Sequence, residues 1–297
     1  MQNVACQETN FKWKPPILVP SAGVSDFGED AGEKNTERIH MLTESYFQIE
    51  QSGCSIGCKR ICNSEAVPDR VVLFAHGFGG HRDNRAAARF AKELCSHHEG
   101  AAVITFDLPC HGSDKGELLR LSDCLQYFAV MVDYLQKTYP DVQLDACATS
   151  FGGYLLLNYI ITSGNPFRRI ALRCPAVNMH QVLTNSIMAA EAQEQLNAGK
   201  VAEVGFDRKI PVDLTFAESL KQADIMTMDF TPFAGDILIL HGRKDEVVPF
   251  TAGQTFAYQN GIRFLPAANA DHRYSDPKIM AEAIRAMEKF FDAPDRM

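Results

Sequence analysis

Residues 142–158, VQLDACATSFGGYLLLN, put the tightest constraint on what this chain of 297 residues can fold into. The first half alternates Val142, Leu144, Ala146 and Ala148 against more polar neighbours, the period of a β-strand. From Tyr154 onward the residues are strong helix formers. No room for a proper loop lies between them. A strand that becomes a helix within about two residues makes a sharp, strained turn, and Ser150 stands at its apex. Small residues two before and two after such a serine let strand and helix pass closely. Gly152 is one; Ala148 stands where glycine is commoner, and its methyl group is the mildest replacement. The pattern alone is common, so its meaning depends on what accompanies it along the chain.

What accompanies it is an alternation of strands and helices. Val71–Ala75 is a continuous apolar run, as in a strand covered on both faces, and it ends in HGFGG at residues 76–80. A helical period follows over 84–97, then a buried strand over 101–106 that closes on DLPCHG at 107–112. Ser122 reads as an N-cap for a helix over 125–139, which Pro140 stops. After the elbow come strands at 170–174, 237–240 and 262–265, and an amphipathic helix over 277–291. Two β-like runs between 39 and 62, separated by Gly53, predict an antiparallel hairpin at a sheet edge. This order implies an α/β class with a mostly parallel sheet wound on both sides, and sites at the carboxyl ends of its strands.

Two segments break the pattern. Residues 1–38 carry prolines at 15, 16 and 20 and a polar run, and read as an N-terminal extension. Residues 178–229 are helix-prone, then irregular around Pro211, and predict a small cap inserted into a core made of 39–177 and 230–297.

Composition narrows the function classes. The net charge of −8 argues against nucleic acid or an anionic membrane as the main partner. Nothing approaches the ~18 consecutive apolar residues of a membrane span, so no membrane insertion is expected. No basic region followed by an apolar stretch marks the start as a secretory signal. The nine cysteines are scattered and odd in number. Cys95, Cys110, Cys124, Cys147 and Cys174 sit in apolar surroundings, as reduced, buried small hydrophobes do. Cys54, Cys58 and Cys62 are evenly spaced, but paired CxxC knuckles are absent and the stretch reads as a strand pair. We expect a cytoplasmic protein with no metal and no cofactor.

A serine hydroxyl needs a base to take its proton, and the base needs an acid to orient it. Ser150, Asp245 and His272 follow in the order serine, acid, histidine, each just beyond a predicted strand. Glu246 is the alternative acid if the register is off by one. Asp271 reads as a solvated or loop-bonding group, Asp107 as a tie within its turn, and His76 and His111 as structural. His81, His97, His98, His180 and His241 show no metal-ligand spacing. No Walker A and no GxGxxG is present, so nucleotide chemistry is unsupported.

HGFGG, ATSFGG, HGRKDEVVP and ADHRYSDP, in that order, resemble the α/β-hydrolase superfamily from about residue 40 to the C-terminus. The chain is similar in particular to capped bacterial esterases of the cinnamoyl/feruloyl type and to monoacylglycerol lipase-like serine hydrolases. The resemblance implies Ser150 as nucleophile, Asp245 as acid and His272 as general base. It also implies an oxyanion hole made by the backbone N–H groups of Phe78 and Phe151. The expected substrate is a small-molecule ester with a small to medium acyl or an aromatic, hydroxycinnamoyl-like group. A peptidase or amidase of the same fold, or a binding protein without turnover, are the competing readings. Met179, Leu183, Ile187, Met188, Leu214, Phe216 and Met226 either line an acyl pocket or form the cap's own core. The oligomeric state is open, a homodimer included.

Overall fold

The computed structural model describes residues 42–64 and 66–294. The expected extension over 1–38 lies outside the described residues. An eight-stranded sheet organises the rest, in the order β1-β2-β4-β3-β5-β6-β9-β10. Its strands are β1 (Thr43–Gln51), β2 (Cys54–Cys62), β3 (Arg70–Ala75), β4 (Ala101–Phe106), β5 (Gln143–Thr149), β6 (Ile170–Arg173), β9 (Ile237–Gly242) and β10 (Arg263–Ala267).

The edge hairpin forms as its sequence predicts. Gln51 pairs with Cys54 across a two-residue turn in which Ser52 and Gly53 both have positive φ, the geometry that matches strand twist. Cys54, Cys58 and Cys62 all point from β2 into the core, because their even spacing follows the strand period. The eight described cysteines are buried and none is in a disulfide with another described residue.

From β4 onward the sheet is parallel; β3, β4, β5, β6 and β9 are buried on both faces, while the edge strand β10 is partly exposed. Leu73, Ile104, Ala146, Leu172 and Ile239 face one core layer, under α2 (Leu121–Thr138), α3 (Phe151–Ser163) and α7 (Phe250–Asn260). Val72, Val103, Cys147, Ala171 and Leu238 face the other, under α1 (Arg85–His97) and α8 (Pro277–Phe291). Asn84 caps α1 by accepting from the Ala87 amide, and Asp276 caps α8. Ser122 does not cap α2. That helix starts a turn earlier than its hydrophobic period suggests, with Arg120 at the cap and its guanidinium held by both oxygens of Asp213.

β3 lies between β4 and β5. The chain therefore reverses its direction of sheet growth at β3, and the loops leaving β3 and β5 open side by side at the switch point. Between β6 and β9 run α4 (Met179–Val182), a π-helical turn Leu183–Ile187, α5 (Ala190–Asn197), β7 (Ala202–Val204), β8 (Ile210–Val212) and α6 (Leu214–Gln222). β7 and β8 form a separate antiparallel hairpin. Among the described residues no helix is long and apolar enough to cross a membrane.

Candidate active site

Ser150 joins β5 to α3 with φ 52° and ψ −119°, a conformation that costs a non-glycine residue roughly 1–3 kcal/mol. The surroundings hold it there. Its N–H donates to the Arg173 carbonyl at 3.1 Å, and its carbonyl accepts from Tyr154 and Ala176. Gly152 is required by close approach: a Cβ there would stand 2.5 Å from the His76 carbonyl oxygen and 2.7 Å from that of Ala75. Gly77 in turn packs on the serine, since a Cβ would lie 3.1 Å from Ser150 Cβ. The elbow and the HGFGG loop are thus pressed together backbone against backbone.

Asp245 and His272 meet from the loops after β9 and β10. His272 Nδ1 lies 2.8 Å from Asp245 Oδ2. A carboxylate only accepts, so Nδ1 carries the proton and Nε2 is left as the basic nitrogen. Oδ1 of Asp245 accepts from the Val247 and Val248 amides at 2.9 and 2.8 Å. Burial alone would raise this carboxyl, but donation from His241, His272 and the Val248 amide outweighs it and holds it well below the usual carboxylate range. Glu246 accepts from the His272 backbone N–H at 3.3 Å, so it braces the loop rather than the ring. Asp271 accepts from the Ser275 amide within its own loop. Ser150 Oγ makes no hydrogen bond among the described residues.

The Phe151 amide is at the first position of α3, one of the donors a helix leaves unsatisfied. The Phe78 amide donates to no acceptor among the described residues. Their rings meet edge to face at 5.4 Å, and His111 packs on both. His76 and His111 serve structure. His76 Nδ1 donates to the Gly77 carbonyl, and its Nε2 accepts from the Leu108 amide. His111 Nδ1 donates to the Pro109 carbonyl. Burial pushes His76 down to about 4 and His111 to about 3, so both rings are neutral at pH 7. Asp107 ties the turn, accepting from the Arg82 and Ser113 backbone amides and side chains.

Two contacts escaped the sequence reading. His241 Nε2 lies 3.2 Å from Asp245 Oδ2, a pairing whose only trace in sequence is a spacing of four residues at a strand end. Cys174, in a left-handed conformation with φ 46°, brings its thiol to within 4.8 Å of the nearest ligand atoms of Asp245 and His272. Burial keeps that thiol protonated.

Residues between β6 and β9 contact the loops around Ser150. Phe216 packs edge to face on Phe151, and the Arg208 guanidinium donates to the Gly112 carbonyl at 2.7 Å. Met179, Leu183, Ile187, Met188 and Phe216 are buried in the main core layer, while Leu214 is exposed. Met226 is partly buried against the same layer.

Comparison with known proteins bears on this geometry. A family model described as serine aminopeptidase, S33, matches residues 66–214, which include the HGFGG loop and the elbow. The chain belongs to this family of α/β-hydrolases. The matched stretch ends before Asp245 and His272, so the pairing of those two rests on the structure itself. Among solved structures, Est1E from Butyrivibrio proteoclasticus with ferulic acid bound is similar at 19% identity and a TM-score of 0.65. That match covers 82% of this chain and 97% of the other. A putative hydrolase from Agrobacterium vitis S4 is similar at 14% identity and a TM-score of 0.65, covering 85% of this chain and 100% of the other. Alpha/beta hydrolase domain-containing protein 10 from mouse is similar at 16% identity and a TM-score of 0.63, with coverages of 84% and 98%. At these identities the likeness is one of fold. No curated protein matches the chain.

Proposed function

We propose that this S33-family serine hydrolase is a carboxylic-ester hydrolase working through Ser150, His272 and Asp245. The observation that carries the reading is the 2.8 Å bond from His272 to Asp245, on loops that leave the same end of the parallel sheet as the strained Ser150. Ser150 Oγ attacks the ester carbonyl while His272 Nε2 takes its proton, and Asp245 stabilises the resulting imidazolium. The Phe78 and Phe151 amides hold the tetrahedral oxyanion. His272 then protonates the leaving alcohol, and an acyl group remains on Ser150. A water, deprotonated by the same nitrogen, releases the acid.

Residues 178–229 act as a cap that shapes the acyl or aryl site. A small to medium or hydroxycinnamoyl-like ester fits this reading, and the bound ferulic acid of the Est1E relative is in keeping with it. The free, buried cysteines suit a reducing cytoplasm. The family's description favours one second reading, cleavage of an amide at an amino terminus. A panel of chromogenic esters from acetate to octanoate, a hydroxycinnamate ester and matched amides tests both. Ester turnover with no measurable cleavage of the matched amides supports the esterase; turnover of the amides alongside the esters supports the peptidase, since serine peptidases also cleave the more reactive ester.

A further inference from the structure

β9 runs out in His241, whose imidazole is fully buried and packed against Phe250 and Phe264. Its Nε2 lies 3.1 Å from the Val248 carbonyl oxygen and 3.2 Å from Asp245 Oδ2. Both neighbours are acceptors, so Nε2 carries the proton. Nδ1 has no partner among the described residues, and Gly253 is packed so close that a Cβ there would run into it. A doubly protonated ring would bury an unpaired donor, so the neutral Nε2–H tautomer is the one this pocket holds.

The Asp245 carboxylate is therefore used on all sides. Oδ1 takes two backbone amides, and Oδ2 faces two imidazoles, one from each of two neighbouring strand ends. We propose that His241 is a positioning residue for the Asp245–His272 pair, aiming Oδ2 and sharing its charge with His272. The proposal rests on the assignment of that pair to the hydrolytic machinery.

Sharing the oxygen has a consequence with a sign. The His241 N–H, hydrogen-bonded to the Val248 carbonyl with Asp245 Oδ2 beside it at 3.2 Å, sets positive polarity against that oxygen, so Asp245 holds a protonated His272 less firmly than an unaccompanied carboxylate would. Removing the donor strengthens that hold, and activity on the acidic side is then lost at a higher pH. Mere packing damage acts the other way, because a loosened Asp245–His272 bond favours the neutral ring. None of the remaining ionisable groups around the pair hydrogen-bonds His241 among the described residues. They are the Cys174 thiol, Glu246 on the His272 amide, Asp271, the buried Tyr274 with Arg173 over its ring, and Arg243 over Phe250.

His241→Phe removes the donor and keeps a ring; His241→Gln keeps an N–H near the place of Nε2. The readouts are the pH profile of kcat/KM on a p-nitrophenyl ester and a proton NMR titration of the His272 Nδ1–H in a Ser150→Ala background. The phenylalanine variant is expected to move the acidic limb and the NMR midpoint up by about 0.5–1 pH unit. It should lower kcat about tenfold at unchanged KM. Glutamine should restore both. An acidic limb that stays or moves down, or a glutamine variant indistinguishable from phenylalanine, overturns the proposal. Should His241→Phe not fold, His241→Met supplies the same donor-free comparison. A wild type inert toward every ester and amide would defeat the hydrolase reading, while the NMR midpoints would still decide the role of His241.

Discussion

Asp245 and His272 stand 27 residues apart on loops leaving different strands, yet their side chains meet at 2.8 Å. Glu246, adjacent to Asp245, reaches only the His272 backbone. The two acids are therefore separable by substitution. Asp245→Asn should lower kcat about a thousandfold or more, because the amide no longer stabilises an imidazolium. Glu246→Gln should stay within a few-fold of wild type. Steady-state kinetics on one chromogenic ester checks both, and equal losses would mean that the carboxylate is misassigned.

Gly152 sits where α3 crosses the end of β3. Because an added methyl would press on the carbonyl oxygens of Ala75 and His76, both backbone atoms, relief requires moving a strand end. Gly152→Ala should destabilise the fold by about 2–3 kcal/mol, read from urea unfolding midpoints. A variant as stable as wild type would show that helix and strand separate easily at this crossing.

Two buried histidines, His76 within the HGFGG loop and His111 packed against it, give stability a defined pH dependence. His76 and His111 titrate at an ordinary 6.5 when unfolded but are pushed to about 4 and about 3 in the fold. Between those limits the unfolded chain binds more protons, so stability is complete above pH 6.5 and is lost as pH falls toward 4. For His76 alone the window corresponds to roughly 3 kcal/mol. His111→Asn, with an amide in place of Nδ1, should flatten the decline measured by urea unfolding at pH 7, 6, 5 and 4. An unchanged slope would mean that other groups drive acid unfolding.

The parts of the fold legible in sequence are those set by local rules. Strand period and a two-residue turn announce the β1–β2 hairpin, and unbroken apolar runs announce the parallel strands. The apolar period of α7 is weak because Gly253 and Asn260 share its buried face with Phe256 and Ala257, and Gly261, left-handed at the C-cap, marks its end. The β7–β8 hairpin was hidden by its three-residue strands and by Pro211 within one of them. At the site, the serine–acid–histidine order pointed to three residues, and the structure brings two of them into contact. His241 was passed over because its partner is fixed by the turn of the 242–248 loop, which no spacing rule describes. The cap's apolar residues could not be sorted into lining or core from sequence, since both uses demand the same side chains.

The account stands or falls on Ser150. Hydrolysis of the best ester in the panel should be compared between wild type and Ser150→Ala, alongside labelling by a fluorophosphonate probe. The alanine variant should fold normally, lose at least about a thousandfold in kcat and take up no probe. A folded Ser150→Ala enzyme that keeps its activity, or a wild type labelled at another residue, would contradict it.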